Sequence, residues 1–191
     1  MITESPLGEF VKADKNPLVC DIICAREIFF EKKANDLMIH VCFAVYDKAG
    51  HYSKFTGTAI LSMLENHNHP SSIIIHILHD NTLTDENRDK LLSLVSSYNQ
   101  IVKFYNVEEL CTEEFTKIEK IFPNIYDDRH SIATFYRFFI PQLLPQGIEK
   151  VIYLDSDIIV NLDIEELWEI ELSDKPFGAI PEFYQISDKD A

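Results

Sequence analysis

The chain has 191 residues, of which 46% are hydrophobic, and this size and composition fit one α/β domain with a sizeable core. Its 32 acidic residues outnumber its 17 basic residues and give a net charge of −15, which argues against a nucleic-acid-binding surface because such a surface needs clustered Lys and Arg. No apolar run reaches the roughly 18 to 20 residues of a membrane span. The stretch from Met1 to Asn16 lacks the basic start and apolar centre of a signal peptide, so we expect a cytosolic protein.

Alternating strand and helix patterns run along most of the chain. The first 37 residues lack clear periodicity and are predicted to form a leader that packs on the edge of a domain over residues 38–191. The predicted elements are a strand at 38–45, a helix at 51–65, a strand at 72–78, a helix capped by Thr84, a strand at 101–105, short helices at 107–122, a helix at 132–144 capped by Ser131, and a strand-like run at 151–160. This alternation indicates βαβ units and a mainly parallel sheet.

Polar groups lie at the ends of two predicted strands. Tyr46-Asp47-Lys48 follows the first strand, and Asp155-Ser156-Asp157 interrupts the last apolar run. In parallel sheets, ligands bind beyond the carboxyl ends of strands, where the strand order reverses. Neither a glycine-rich dinucleotide loop nor a Walker loop follows the first strand, so ordinary dinucleotide and P-loop chemistry are poorly supported.

The pair Asp155 and Asp157 suggests a metal site. In an extended segment, residues i and i+2 share a face, so the two carboxylates are predicted to lie side by side. A cation would offset their repulsion, and hard oxygen ligands suit Mg²⁺ or Mn²⁺ held together with the phosphates of a substrate. The alternative is that Asp155-Ser156-Asp157 is a turn between two short strands, since Asp and Ser favour turns.

Arg137 is the only charged residue of an otherwise apolar helical pattern, so its guanidinium must reach water, an acid or an anion. It could bind a phosphate or nucleotide, a task that its planar fork suits. It could instead form an ion pair with Asp127, Asp128 or Asp155.

The cysteines and histidines carry no clear functional pattern. The four scattered cysteines are expected to be buried thiols, and we interpret the seven histidines as solvated or packed imidazoles.

Several motifs occur in the order used by one enzyme family. They are the segments Ile39 to Asp47, Ser72 to Asp80 with Thr84 to Arg88, Ser131 to Arg137, Lys150 to Asp157, Leu167-Trp168, and Phe177 to Ile180. Their order resembles glycosyltransferase family 8, and within it the bacterial lipopolysaccharide glucosyl- and galactosyltransferases. The resemblance covers about residues 38–182, and the stretch from Glu27 to Lys33 also looks like the leader of the lipopolysaccharide enzymes.

The resemblance implies a GT-A fold, which is a Rossmann-like, mainly parallel sheet flanked by helices. It also implies a UDP-glucose or UDP-galactose donor, a Mn²⁺ or Mg²⁺ ion, a saccharide or lipopolysaccharide-core acceptor and retention of anomeric configuration. The site residues that it implies are Asp155 and Asp157 for the metal, and Ala44, Val45, Tyr46, Asp47, Lys48, Arg137, Ser156 and Glu182 for the donor. Many relatives have Asp-Asp where this chain has Tyr46-Asp47, so here Tyr46 could stack on uracil without the hydrogen bond of the missing carboxylate.

Family members continue beyond the position of Ala191 with an Asn-x-Gly segment, acceptor-contacting residues and a His that completes the metal shell. The resemblance therefore implies a domain that is incomplete at its C-terminus. A catalytically incomplete nucleotide-sugar-binding module stays open as an alternative, as does a HAD-type phosphatase, which also places Asp-x-Asp at a strand end. We expect a cytoplasmic location at the inner face of the bacterial inner membrane, with any membrane association peripheral and through the missing C-terminal part.

Overall fold

The structure, a computed structural model, describes residues 11–12, 38–69, 71–121 and 133–179. Its strands are β1 (Val11–Lys12), β2 (Met38–Val45), β3 (Ser72–His79), β4 (Ile101–Asn106), β5 (Ile152–Leu154) and β6 (Gly178–Ala179). Its helices are α1 (Tyr52–Glu65), α2 (Asp85–Ser97), α3 (Val107–Leu110), α4 (Thr112–Ile121), α5 (Ala133–Tyr136), α6 (Ile140–Leu143) and α7 (Ile164–Trp168). A 3₁₀ turn, Arg137–Phe139, joins α5 to α6.

The main sheet has four parallel strands in the order β4-β3-β2-β5. From β2 the chain builds outward through β3 and β4, and it then returns to place β5 on the other side of β2. The strand order therefore reverses between β2 and β5, which makes their carboxyl ends the expected position of a ligand site. The predicted Rossmann-like, mainly parallel sheet is confirmed.

Strand β2 is buried on both faces, which explains its near-continuous apolar sequence. Val41 and Phe43 face one core together with residues of α1 and α2. Cys42 and Ala44 face a second core together with residues of α3, α4, α5 and α6. Helices thus cover both faces of the sheet. Burial of each large apolar side chain contributes about 1.5 to 3 kcal/mol to this arrangement.

The helix predicted at 132–144 is broken in the structure, and its cause is Pro141. Proline has no backbone N–H, so it cannot donate to the Arg137 carbonyl one helical turn earlier, and its ring disfavours a regular helix there. The Arg137 carbonyl instead accepts from the backbone N–H of Ile140, which is the i to i+3 pattern of a 3₁₀ turn. The predicted cap Ser131 lies outside the described residues.

The cap of α2, the predicted leader and the predicted absence of a membrane span can each be compared with the described residues. The Thr84 hydroxyl accepts a hydrogen bond from the backbone N–H of Asn87 at 3.3 Å, so the predicted cap of α2 is present. Within the predicted leader, β1 pairs antiparallel with β6. Across the described ranges, none of the helices has the length and apolar character that crossing a membrane requires.

Candidate functional site

The carboxyl ends of β2 and β5 lie side by side. Phe43 pairs with Leu154 in the ladder between the two strands. Just beyond that pair, the Ser156 hydroxyl donates to the Ala44 carbonyl oxygen at 3.0 Å, and Ser156 is only 2% exposed. This bond holds the Asp155-Ser156-Asp157 segment against the end of β2, where the strand order reverses.

Asp155 and Asp157 lie on a turn and not on an extended strand. Strand β5 ends at Leu154, and Ser156 and Asp157 form a turn, so the prediction that the two carboxylates share the face of a continuous strand is wrong. The alternative of a turn is correct for the backbone, although no strand follows it at 158–160. Asp and Ser favour this bend, and it leaves both carboxylates exposed to solvent.

The two aspartates also share an electrostatic neighbour, Tyr52, the first residue of α1. Burial raises the pKa of the Tyr52 hydroxyl, and the negative charges of Asp157 and Asp155 raise it further. Both carboxylates therefore act on the same small region, in which a cation would be stabilised. Tyr52 belongs to no recognisable sequence motif, so its position near the two aspartates was not predicted from the sequence.

The carboxylates of Asp155 and Asp157 suit a divalent cation that is also bound by a substrate. Two exposed carboxylates are the kind of oxygen ligands that Mg²⁺ or Mn²⁺ takes together with substrate phosphates. Among the described residues, no three His, Cys, Asp or Glu side chains are grouped so that they could hold a metal ion. The described part of the chain thus offers Asp155 and Asp157 to such an ion, and the remaining ligands have to come from elsewhere.

Arg137 lies next to the aspartate turn and is held on three sides. Its Nη2 is 3.2 Å from Asp155 Oδ1, and its Nε donates to the Thr134 carbonyl at 3.0 Å. Its Cζ lies 4.5 Å from the ring centroid of Tyr153. Of the three acids named as ion-pair partners, Asp155 is the one that pairs with it, whereas Asp127 and Asp128 lie outside the described residues.

The Arg137 pair is open to solvent and to ligands. The Asp155 side chain is 56% exposed and that of Arg137 is 32% exposed. The contacts to Asp155 and Thr134 engage two of the five guanidinium N–H donors. Arg137 can therefore pair with Asp155 and still have N–H groups left to bind a nucleotide sugar. Burial raises the pKa of Tyr153, the Arg137 charge lowers it and the Asp155 charge raises it, so this phenol stays neutral beneath the guanidinium.

The Asp47 carboxylate is directed into the protein. Asp47 is 2% exposed; its Oδ1 accepts from the backbone N–H of Tyr52 at 2.6 Å, and its Oδ2 accepts from Asn87 Nδ2 at 2.9 Å. It therefore ties the end of β2 to the first residue of α1 and to α2. The predicted contact between this carboxylate and the nucleotide-sugar donor stays a prediction, and such a contact would compete with these internal bonds.

The other predicted donor-contacting residues differ in exposure. Ala44 and Val45 have buried side chains, so a ligand could meet them mainly through the backbone. Tyr46 is half-buried and packs on the second core, and Lys48 is exposed. Glu182 lies outside the described residues. Their roles stay predictions.

A buried polar group near the site was also missed. Asp80, at the end of β3, is 2% exposed, and its carboxylate accepts hydrogen bonds from Tyr136 and Thr82. The signal was present in the sequence, because Asp80 follows a predicted parallel strand just as Asp47 follows another.

The fold and the switch-point site define an α/β domain with a ligand site at the carboxyl ends of its parallel strands. The sequence model described as Glycosyl transferase family 8 matches residues 42–191. The chain belongs to glycosyl transferase family 8, as its motifs predicted, and this membership favours the transferase over a HAD-type phosphatase.

Known relatives come from plants and bacteria. The chain is 25% identical over 190 residues to probable galacturonosyltransferase 13 of Arabidopsis thaliana, covering 94% of this chain and 33% of that protein. It is 29% identical over 129 residues to a putative glycosyltransferase of Haemophilus influenzae, covering 68% of this chain and 36% of that protein. The chain thus spans about a third of the length of these relatives.

Solved structures support the fold. The apo structure of WbbM, a bifunctional glycosyltransferase, has a TM-score of 0.54 at 23% identity and covers 74% of this chain and 22% of WbbM. The structure of the galactosyltransferase LgtC with donor and acceptor sugar analogs has a TM-score of 0.51 at 21% identity and covers 71% of this chain and 44% of LgtC. The predicted GT-A fold is confirmed.

Proposed function

We propose that this chain forms the donor-binding part of a retaining, metal-dependent hexosyltransferase. It moves glucose or galactose from a UDP-sugar to a saccharide acceptor such as the core of lipopolysaccharide, and it acts in the cytoplasm. The observation that carries the proposal is the meeting of Asp155, Asp157 and Arg137 at the point where the strand order reverses. Family membership supports the same reaction class.

The two aspartates and the arginine have complementary tasks in this proposal. Asp155 and Asp157 would hold Mn²⁺ or Mg²⁺, which when bound supplies positive charge to the diphosphate of the donor. Arg137 adds a fixed positive charge beside Asp155, and the Thr134 carbonyl and the Tyr153 ring hold its guanidinium in place. A preorganised charge of this kind stabilises the negative charge that develops on a departing diphosphate.

Local positive charge matters because the protein itself is strongly acidic. With a net charge of −15, the chain repels a nucleotide diphosphate unless cations compensate. Ser156, Ala44 and Tyr46 at the carboxyl ends of β2 and β5 add no charge, and the charges of Asp47 and Lys48 in the turn after β2 offset each other. Arg137 and a cation on the two aspartates are therefore the proposed means by which this edge of the sheet attracts the donor.

A calorimetric screen of donors in the presence of Mn²⁺ tests the proposal. UDP-glucose and UDP-galactose are expected to bind, whereas ADP-glucose serves as the control for recognition of uracil and should bind more weakly. UDP-galacturonate belongs in the same screen because the plant relatives are named as probable galacturonosyltransferases. Absence of binding by UDP and by all three UDP-sugars would overturn the proposed function.

A further inference from the structure

A chain of hydrogen bonds joins the segment that carries Arg137 to the turn that follows β2. The Tyr136 hydroxyl donates to Asp80 Oδ2 at 2.7 Å. Asp80 Oδ1 accepts from the Thr82 backbone N–H at 2.9 Å and from the Thr82 hydroxyl at 2.5 Å. The Thr82 oxygen in turn accepts from the backbone N–H of Asp47 at 2.7 Å. Each donor in this chain thus meets an acceptor.

This series of hydrogen bonds is buried on both sides of the Asp80 carboxylate. Tyr136 is 0% exposed, and Asp80 and Asp47 are each 2% exposed. A buried carboxylate is costly unless donors compensate it, so Asp80 holds Tyr136 and Thr82 firmly in place. Beyond Asp47, the bonds to Tyr52 and Asn87 extend the connection to α1 and α2.

The segment around Arg137 benefits from such an anchor because its helical hydrogen-bond pattern is irregular. Helix α5 passes at Arg137 directly into the 3₁₀ turn Arg137–Phe139, and the four residues of α6 follow. A 3₁₀ turn has poorer hydrogen-bond geometry than an α-helix, so tertiary contacts matter more for fixing it. The Tyr136 ring packs in the second core, and its hydroxyl adds a directional bond to that packing.

From this geometry we infer that Tyr136, Asp80 and Thr82 are positioning residues for donor binding, which act by fixing Arg137 relative to the turn at Asp47. The inference rests on the function proposed above. The three residues differ from the donor-binding set because they act through Arg137 and need not touch the donor themselves. A precise position matters because a bidentate or charge-assisted contact is lost when the guanidinium shifts.

The first test compares Tyr136→Phe with wild type by calorimetric titration of UDP in Mn²⁺. The variant keeps the packed ring and removes only the hydroxyl, and we expect its affinity for UDP to fall about fivefold to tenfold. Ser71→Ala is the matched control, because the Ser71 hydroxyl also donates to a carboxylate, Glu165 Oε2, at 2.6 Å. Ser71 is 8% exposed and precedes β3, at the opposite edge of the sheet, so its loss should lower stability without changing UDP affinity.

A double-mutant cycle then separates positioning from a general loss of stability. In an Arg137→Met background, Tyr136→Phe should change UDP affinity by less than about twofold, because the group through which it acts is gone. Thr82→Val breaks the same chain from another loop and should lower affinity as Tyr136→Phe does. It also decides the question if Tyr136→Phe fails to fold.

Wild-type affinity in both Tyr136→Phe and Thr82→Val would overturn the inference and leave the proposed function standing. Full additivity with Arg137→Met would also overturn it. Absence of UDP binding by wild type would overturn the proposed function, and this inference with it.

Discussion

The Ser156 hydroxyl donates to the Ala44 carbonyl oxygen over 3.0 Å, and this bond joins the ends of β5 and β2 where the strand order reverses. Ser156 and Ala44 are 2% and 5% exposed, so the bond is shielded from water. The acidic neighbours of Ser156, in contrast, are exposed. One buried hydroxyl thus fixes a turn whose two carboxylates face solvent.

Ser156→Ala tests this arrangement. The substitution removes one buried hydrogen bond, so we expect the free energy of unfolding to fall by about 1 to 2 kcal/mol. UDP affinity in Mn²⁺ should fall as well, because the turn that carries Asp155 and Asp157 is less well fixed. Ser71→Ala again serves as the control for stability alone, and a variant of Ser156 that loses stability but keeps full UDP affinity would contradict the account.

Asp155→Asn and Asp157→Asn should each abolish metal-dependent UDP binding and leave the fold intact. Both side chains are exposed, and exposed charges contribute little to stability, so the melting temperature should stay within a few degrees of wild type. Thermal melts and UDP titrations in Mn²⁺ check both points. A large loss of stability with unchanged UDP binding would show that the turn has a structural role only.

Arg137→Lys keeps the charge at the site but loses the planar fork and the stacking on Tyr153. We expect UDP binding to weaken by about 1 to 3 kcal/mol, with little change in stability. Arg137→Met should weaken binding further and also spare stability, because its ion pair with Asp155 is exposed to solvent. Unchanged UDP affinity in both variants would end the assignment of Arg137 to donor binding.

His67 and Asp163 form a buried ion pair at the edge of the sheet opposite the site. His67 Nδ1 is 2.9 Å from Asp163 Oδ1, and His67 Nε2 is 2.9 Å from the Ser71 carbonyl oxygen. Both partners are acceptors, so a doubly protonated imidazole satisfies both. Burial opposes this charge, but the bonds to Asp163 and Ser71 outweigh it and raise the pKa of His67. Burial would raise the pKa of Asp163, yet hydrogen bonds from Asn68, His67 and Glu165 lower it to about 2.

Stability should therefore depend on pH through this pair. The His67 contribution is complete below the unfolded pKa of 6.5 and is lost as the pH rises through the higher folded value. The Asp163 contribution is complete above 3.8 and is lost as the pH falls towards about 2. The pair is thus strongest between about pH 4 and pH 6.5.

His69 Nδ1 also lies 3.0 Å from Asp163 Oδ2, so the difference in melting temperature that His67→Gln causes is measured in a His69→Gln background, which isolates the His67 effect. It should be largest near pH 5 to 6 and shrink as the pH rises to about 8.5. A difference that stays constant over this range would contradict a charged His67. UDP affinity in Mn²⁺ should be unchanged in this variant, because the pair lies beside Ser71 at the start of β3, whereas Asp155 follows the carboxyl end of β5.

The pattern of apolar residues in the sequence made most of the fold predictable. The eight residues of β2 form a near-continuous apolar run that ends before Tyr46-Asp47-Lys48, and both its start and its end were predicted correctly. Strand β5 was predicted too long, because Ile158, Ile159 and Val160 are as apolar as the strand before them. Ile158 and Val160 pack on the first core and Ile159 is exposed. The Val160 backbone N–H donates to the Ser62 hydroxyl of α1 and not to a strand, a long-range partner that the sequence does not show.

The site was predictable in its charged groups but not in its supporting bonds. Asp155, Asp157 and Arg137 stand out because charges interrupt apolar patterns, and the structure brings Arg137 and Asp155 into contact. Tyr136 is one more aromatic residue in an aromatic segment, and nothing in the sequence shows that its hydroxyl reaches Asp80 on another strand. Such long-range partners depend on how the elements pack.

Calorimetric titration of UDP into the wild-type chain, with Mn²⁺ and then with chelator, tests the central claim most directly. The carboxylates of Asp155 and Asp157 repel a diphosphate unless a cation lies between the carboxylates and the phosphates. The affinity for UDP should therefore fall at least about tenfold when the metal is removed. Asp155→Asn should show no such dependence on Mn²⁺. Equal affinity of the wild type with Mn²⁺ and with chelator would contradict the assignment of Asp155 and Asp157 to a shared metal-diphosphate site.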